Sequence, residues 1–257
     1  DMKTVGVLKE RPEEKLWEVG VPVGVIAAIV PSTNPTSTIC YKAMIALKAG
    51  NAIVFSPHPK ALCCTLRAAQ IVAQAAEAAG APKGAVGCLT VPSLEGCKEL
   101  MGDKHIAMIL ATGGPAMVRA AYSSGKPAIG VGAGNGPAYI HKSADIADAI
   151  QKIIRSKTFD NGTVCASEQS IIVEQALEQK VVEEGKKQGL YFMSRQEAAS
   201  LAKLLFRPSG ALNPEIVGKA ATVLAEMAGF TVPPSTKILV AREQEAGPTR
   251  PYSMEKL

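Results

Sequence analysis

The residues from which chemistry could be built in this chain are six cysteines, three histidines, an asparagine beside a proline, and two glycine-rich turns. Cys165 stands apart from the other cysteines. The stretch KTFDNGTVCASEQS places it just after a turn signal, Asn161 and Gly162, with polar Ser167, Glu168 and Gln169 behind it and the apolar run 171–173 beyond. A thiol outside a regular element can act as a nucleophile when its thiolate is accessible. A free cysteine is nonetheless more often a small buried hydrophobe, and local pattern alone favours that reading. Cys40, Cys63, Cys64, Cys88 and Cys97 fall on expected helices or strands and are assigned to packing.

Asn34, in IVPSTNPTS, follows an apolar run, where its amide could donate to an oxyanion; Asn and Pro are also ordinary turn residues. His58, in FSPHPKA, could serve as a base, but nothing acidic nearby would orient it, and a solvated loop residue is the simpler expectation. Gly113 and Gly114, in ATGGPAMVRAA, lie between an expected strand and helix, where main-chain amides can face a phosphate or a nicotinamide. GVGAGNG at 130–136 does not complete a GxGxxG fingerprint, because Asn135 stands where the third glycine belongs. Its glycines imply that chain or ligand comes close to the backbone, with a hinge between domains as the bland alternative.

The elements that must position these residues follow from periodicity. From 19 to 134 short apolar runs alternate with Ala-rich helical stretches: GVIAAIV, NAIVF, GAVGCLTV, IAMILAT and PAIGVGAG alternate with segments such as LRAAQIVAQAAEAAG. Strands apolar throughout belong to a parallel sheet covered on both faces, so the expected class is a doubly wound, Rossmann-like α/β domain. After Gly134, SADIADAIQKIIRSKTF reads as one amphipathic helix capped by Ser143. Helical stretches around 174–188, 195–206 and 214–228 precede a last strand, TKILVA, so a second, partial α/β domain is expected from 135 to 257. Two alternating runs, at about 4–22, predict an N-terminal hairpin.

A chain of 257 residues with 47% apolar residues can bury a sizeable core. The net charge of +5 is scattered among acids, and aromatics are few, which argues against nucleic acid. The longest apolar runs are of strand length and far short of a membrane span. With no CxxC pair and no secretory signal, a reduced, cytoplasmic protein is expected; with no HxxxH or Cys/His cluster, no metal site is expected.

In order and spacing, PSTNPTS, FSPHPKA, ATGGPAMV, KPAIGVGAGNGPAYI and FDNGTVCASEQSIIVE strongly resemble the CoA-acylating aldehyde dehydrogenases. That group includes acetaldehyde, propionaldehyde and butyraldehyde dehydrogenases and the N-terminal half of bifunctional aldehyde-alcohol dehydrogenases. The resemblance covers nearly the whole chain and implies a fragment of such an enzyme: an NAD-binding domain at 1–134 and a C-terminally incomplete catalytic domain at 135–257. It makes Cys165 the nucleophile that adds to the aldehyde and then carries the acyl group as a thioester, and Asn34, with the Cys165 amide, the oxyanion donor. It assigns NAD contacts to Ile29, Val30, Pro31, Ser32, Thr33 and Asn34, to Ser56, His58 and Pro59, and to Thr112, Gly113, Gly114 and Gly132. The hairpin matches a region of oligomer contacts, so a homodimer or higher assembly is implied, in the cytoplasm or within a bacterial microcompartment.

Two departures from the hydrolytic members of the wider superfamily carry the substrate expectation. Val131 stands where they carry a glutamate, and valine cannot activate water, so coenzyme A is the implied acyl acceptor. Ser56 replaces their lysine at the adenosine ribose, which points to NAD over NADP and to a site that admits NAD and CoA in turn. The competing expectations are a hydrolytic aldehyde dehydrogenase and a non-catalytic nucleotide-binding or assembly module with an inert Cys165.

Overall fold

The computed structural model describes residues 2–132, 134–208, 210, 212–247 and 249–254. The chain divides into two compact units, Asp1–Ala133 and Gly134–Leu257.

The first unit opens with an antiparallel hairpin of β1 (Gly6–Arg11) and β2 (Leu16–Gly20). Next come β3 (Val25–Ile29), α1 (Pro35–Lys48), β4 (Ala52–Ser56), α2 (Leu62–Ala78), β5 (Val86–Cys88), α3 (Leu94–Gly102), β6 (Ile106–Thr112), α4 (Pro115–Tyr122) and β7 (Ala128–Val131). Strands β3 to β7 form one parallel sheet in the order β5-β4-β3-β6-β7. The chain thus winds outward from β3 in one direction and then, from β6, in the other, which creates a switch point between the carboxyl ends of β3 and β6.

The apolar runs explain why both faces are covered. Along β3, Ile26, Ala28 and Val30 pack with Ile39, Ala43 and Ala46 of α1, whereas Ala27 and Ile29 pack with Cys97 and Met101 of α3. Successive side chains point to opposite faces, so an unbroken apolar run serves two helical layers at once. Asn51 pins the strand entrances: its Oδ1 accepts from the Val23 and Gly24 amides at 2.7 and 3.0 Å. The doubly wound expectation for this part of the chain holds.

The second unit runs β8 (Gly136–Ile140), α5 (Ile146–Thr158), β9 (Glu168–Val173), α6 (Glu178–Gln188), β10 (Leu190–Phe192), α7 (Arg195–Leu205), α8 (Ala221–Met227) and β11 (Ile238–Val240). Among the described residues its strands form two parallel pairs, β8-β9 and β10-β11. Ile150, Ile153 and Ile154 of α5 supply the buried stripe that the sequence predicts, packed with Ile140, Val181 and Leu190.

Two expectations are corrected here, and one strand is added. Asp145, not Ser143, caps α5, its carboxylate accepting from the Asp148 amide at 3.1 Å, while Ser143 Oγ bonds His141 Nδ1 in the preceding turn. The third helix is shorter than 214–228: Asn213 Oδ1 accepts from the Glu215 amide and Gly218 adopts φ 74°, so the segment turns and α8 begins only at Ala221. Strand β10, three residues long, follows Gly189 and is too short to show a period in the sequence.

Candidate active site

The carboxyl edge of the first sheet gathers the predicted cofactor residues. Ile29 and Val30 are core residues, 5% and 2% exposed, so any contact they make with a ligand is through the main chain. Pro31, Thr33 and Asn34 are half-buried and Ser32 exposed on the loop that leaves β3. Asn34 caps α1 with its main chain: its carbonyl accepts from the Thr38 amide at 3.2 Å and from Ser37 Oγ at 3.2 Å. Its Oδ1 accepts from Thr33 Oγ1 at 3.3 Å, and its amide nitrogen has no acceptor among the described residues.

Thr112, Gly113 and Gly114 lead from β6 into α4. Thr112 Oγ1 lies 3.4 Å from the hydroxyl of Tyr41, joining the end of β6 to α1. A Cβ at Gly114 would meet no atom within 4 Å, so nothing inside the protein requires a glycine there. Pro115 has no N–H and the Met117 and Val118 amides both donate to Gly114 O, so the Gly114 and Ala116 amides are the ones left at this helix start to meet an anionic or amide-bearing ligand.

Gly130 answers the question posed by GVGAGNG in the other way. A Cβ there would stand 2.5 Å from Val118 Cγ1 and 3.0 Å from the Tyr122 ring, and the Gly130 amide donates to Tyr122 Oη at 2.9 Å. What comes close to this backbone is helix α4. Gly132 is exposed beyond it, and Ala133 lies outside the described residues.

Ser56 is 4% exposed, and burial lowers the acidity of the neighbouring Cys97 thiol. His58 is not simply solvated: half-buried, it accepts the Lys60 amide on Nδ1 at 3.1 Å, and burial, with the Lys60 charge, lowers its pKa below the usual histidine value. Pro59 beside it is exposed.

One residue of this edge escaped the sequence reading. Lys42, two turns beyond Asn34 on α1, is 2% exposed and is the only charged residue among the buried described ones. Its Nζ donates to Ile29 O at 2.9 Å and Leu110 O at 2.8 Å, tying the ends of β3 and β6 together at the switch point. Burial lowers its pKa to about 7. A neutral amine keeps two donors, so both bonds survive loss of the proton. The available signal was a lysine on the α1 face that also carries Thr38, Ile39, Ala43 and Ala46.

Cys165 belongs to the second unit. It is exposed, on a tight turn closed by the Ser167 amide donating to Val164 O at 3.0 Å, directly ahead of β9. Its Sγ has no hydrogen-bond partner among the described residues, so the main chain alone sets its position. The packing assignment holds for Cys97 and partly for Cys88, but Cys40, Cys63 and Cys64 are exposed on the outer faces of α1 and α2. The second unit also carries a half-open pocket of about 590 Å³, lined among others by Ile153, Leu201, Ile216, Leu224 and Tyr252 and by Lys157, Asn161 and Glu168.

Residues 3–189 match the model of the aldehyde dehydrogenase family. The chain is 49% identical, over its full length, to the bifunctional aldehyde-alcohol dehydrogenase AdhE of Escherichia coli K12, of which it covers 29%. It is similar to the crystal structure of an acetylating aldehyde dehydrogenase from Geobacillus thermoglucosidasius, with a TM-score of 0.91, 55% identity, and coverage of 100% of this chain and 56% of that one. It is also similar to a propionaldehyde dehydrogenase from Rhodopseudomonas palustris, solved with bound CoA and an acylated cysteine, with a TM-score of 0.78, 36% identity, and coverage of 90% of this chain and 52% of that one. The chain therefore spans about half the length of these structural relatives and less of the E. coli protein. With a family match across most of its length, the chain belongs to the aldehyde dehydrogenase family.

Proposed function

We propose that the whole protein oxidises a short aldehyde to its acyl-CoA, reversibly, with NAD as hydride acceptor. The observation that carries this reading is Cys165, an exposed thiol held on a turn inside the family match, with Val131 where hydrolytic members carry a glutamate. The Cys165 thiolate adds to the aldehyde carbon, and the Cys165 main-chain N–H is proposed to donate to the resulting oxyanion; Asn34, whose side-chain amide is unengaged among the described residues, is proposed as an oxyanion donor on the family resemblance. NAD, when bound, supplies the hydride-accepting ring. The acyl group then rests on Cys165 as a thioester. Without a carboxylate at 131 to activate water, it leaves by exchange with the thiol of coenzyme A, which regenerates the Cys165 thiolate.

The first unit is proposed to hold NAD along its carboxyl edge, through the main chain of residues 29–34 and through Ser56, His58, Pro59, Thr112, Gly113, Gly114 and Gly132. The open space at Gly114 fits such a ligand. The second unit, 134–257, is proposed as part of the catalytic domain. The hairpin exposes Trp17 and Val21, 67% and 72% of whose surfaces are accessible, which supports its role as a contact in a homodimer or higher assembly. No helix of the described residues is long and apolar enough to cross a membrane. The proposed location is the cytoplasm or a bacterial microcompartment.

The test is product analysis on the whole enzyme. NADH formation should require added CoA and yield acyl-CoA; free acid produced at full rate without CoA would overturn the reading.

A further inference from the structure

The approach to Cys165 is the most strained run of backbone among the described residues. Asp160 (φ 49°, ψ 37°), Asn161 (φ 49°, ψ 36°) and Gly162 (φ 74°) lie consecutively in the left-handed region. Among the described residues only Lys15 joins the first two as a non-glycine residue with positive φ. L-residues with a Cβ are disfavoured there, and Asp and Asn tolerate it best. Such conformations persist only where the surroundings over-determine them, and they cluster at active sites.

Most of the bonds around this turn are local. Thr163 donates to Asp160 O from its amide at 3.1 Å and from Oγ1 at 2.7 Å, and the buried Ser167 donates to Gly162 O at 3.3 Å. One bond leaves the loop: Asn161 Nδ2 donates to Gly218 O at 2.9 Å, across 57 residues of sequence. The glycine on each side of this bond has little room, Gly218 against the loop and Gly162 against the end of α5. A Cβ at Gly218 would stand 3.2 Å from Thr163 Oγ1, and one at Gly162 would stand 3.1 Å from Lys157 Nζ and 3.2 Å from Lys157 O. Since Cys165 Sγ has no hydrogen bond of its own among the described residues, whatever fixes this turn fixes the thiol.

We propose that Asn161 is a positioning residue: by donating its side-chain amide to Gly218 O it holds the left-handed turn and so sets where the Cys165 sulfur stands. The inference rests on the reading of Cys165 as the nucleophile. Asn161 meets both demands of the position, tolerance of left-handed backbone and a donor of the right reach. Glycine meets only the first, and aspartate meets the first while turning an ionised acceptor toward the Gly218 carbonyl.

The test uses the whole enzyme and expresses NADH formation per reactive Cys165, counted by mass spectrometry after stoichiometric alkylation. Asn161→Gly should lower kcat per counted thiol by about ten- to a hundredfold, the scale of a misplaced reacting group. KM for NAD should stay within about twofold, because the proposed NAD contacts are elsewhere. Asn161→Asp should lose more at neutral pH and, relative to wild type, recover as the pH falls and its carboxyl gains a proton to donate. A wild-type rate per thiol in Asn161→Gly would overturn the proposal, as would a loss fully accounted for by fewer reactive thiols. Cys165→Ala separates the two readings: full turnover in that variant would remove the nucleophile, whereas inactivity there with an unaltered Asn161→Gly would remove only the positioning role.

Discussion

The two units are assembled from the same kinds of element and are closed to different degrees. In the first, five parallel strands carry buried clusters on both faces. In the second, α5 and α6 cover one side of β8-β9 through Ala138, Ile140, Ile171 and Val173, while Tyr139 and Ile172 stay 57% and 50% exposed on the other. Its pocket is lined by consecutive residues, 169–172 of β9 and 238–240 of β11. Neighbouring residues of a strand point to opposite faces, so the pocket is bordered by strand edges rather than by a sheet face. The difference is instructive: a stiff, doubly covered sheet presents the proposed cofactor loops, whereas the thiol sits on a loop held by individual hydrogen bonds beside a half-open pocket.

The sharpest way to break this division of labour is chemical. Cys165→Ala in the whole enzyme should lower NADH formation by about 10⁴-fold or more, the scale of removing a nucleophile. NAD binding, followed by fluorescence of the reduced cofactor, should be unchanged. A parallel loss of NAD affinity would mean that the two units do not divide the work as proposed.

Core truncations test the difference in closure. Ile109→Ala, at a position with no exposure in the doubly covered sheet, should cost about 3–5 kcal/mol. Leu201→Ala removes a similar volume from a buried residue that already borders the pocket, and should cost about 2 kcal/mol, because some of its neighbours are missing to begin with. Hydrogen exchange of peptides from each unit reports the two losses separately. Equal costs would show that the second core is as tightly packed as the first.

Lys42 offers a pH test of how dry the first unit is. Its pKa is lowered to about 7 by burial, against about 10.4 in an unfolded chain. Between these values the unfolded state holds more protons than the native one, so stability rises with pH across that window and the penalty is fully present below about 7. From pH 7 to 9 the wild type should therefore gain up to about 2 kcal/mol in urea unfolding that Lys42→Met does not gain. The slope is the measurement, since the variant also leaves the Ile29 and Leu110 carbonyls without their donor at every pH. Parallel slopes would mean that Lys42 keeps its proton in the folded state.

What could be read from the residues tracks the same contrast. The first sheet was legible because each strand is an unbroken apolar run between turn residues, so burial on both faces and chain punctuation agree. Helix faces were not: α2 is Ala-rich and α1 mixes apolar residues with short hydroxyl ones, so neither has a sharp polar side, which hid the exposure of Cys40, Cys63 and Cys64 and the burial of Lys42. At Gly130 the sequence required close approach without saying of what, and the neighbours are Val118 and Tyr122. In the second unit the turn at 213–218 depends on an Asn side chain and one glycine, and β10 on pairing with β11 across distant sequence. Local pattern favoured packing for Cys165, and only the order of several motifs together pointed to an exposed thiol.

The smallest effect separates two candidate caps on one helix. Both Ser143 and Asp145 are residue types that cap helices, and the sequence pattern preferred Ser143. In the structure Asp145 accepts from the Asp148 amide, and as an anion it also faces the positive end of α5, the helix that carries the buried stripe of the second unit. Ser143 donates nothing to the helix and bonds His141 instead. Asp145→Ala should cost about 1 kcal/mol and Ser143→Ala less than about 0.5 kcal/mol, read from thermal unfolding. The reverse order would move the start of α5 two residues toward the N-terminus. An equal loss from both would mean that the His141 turn and the helix cap stabilise the entry to α5 together, a second place where this unit depends on single side-chain bonds.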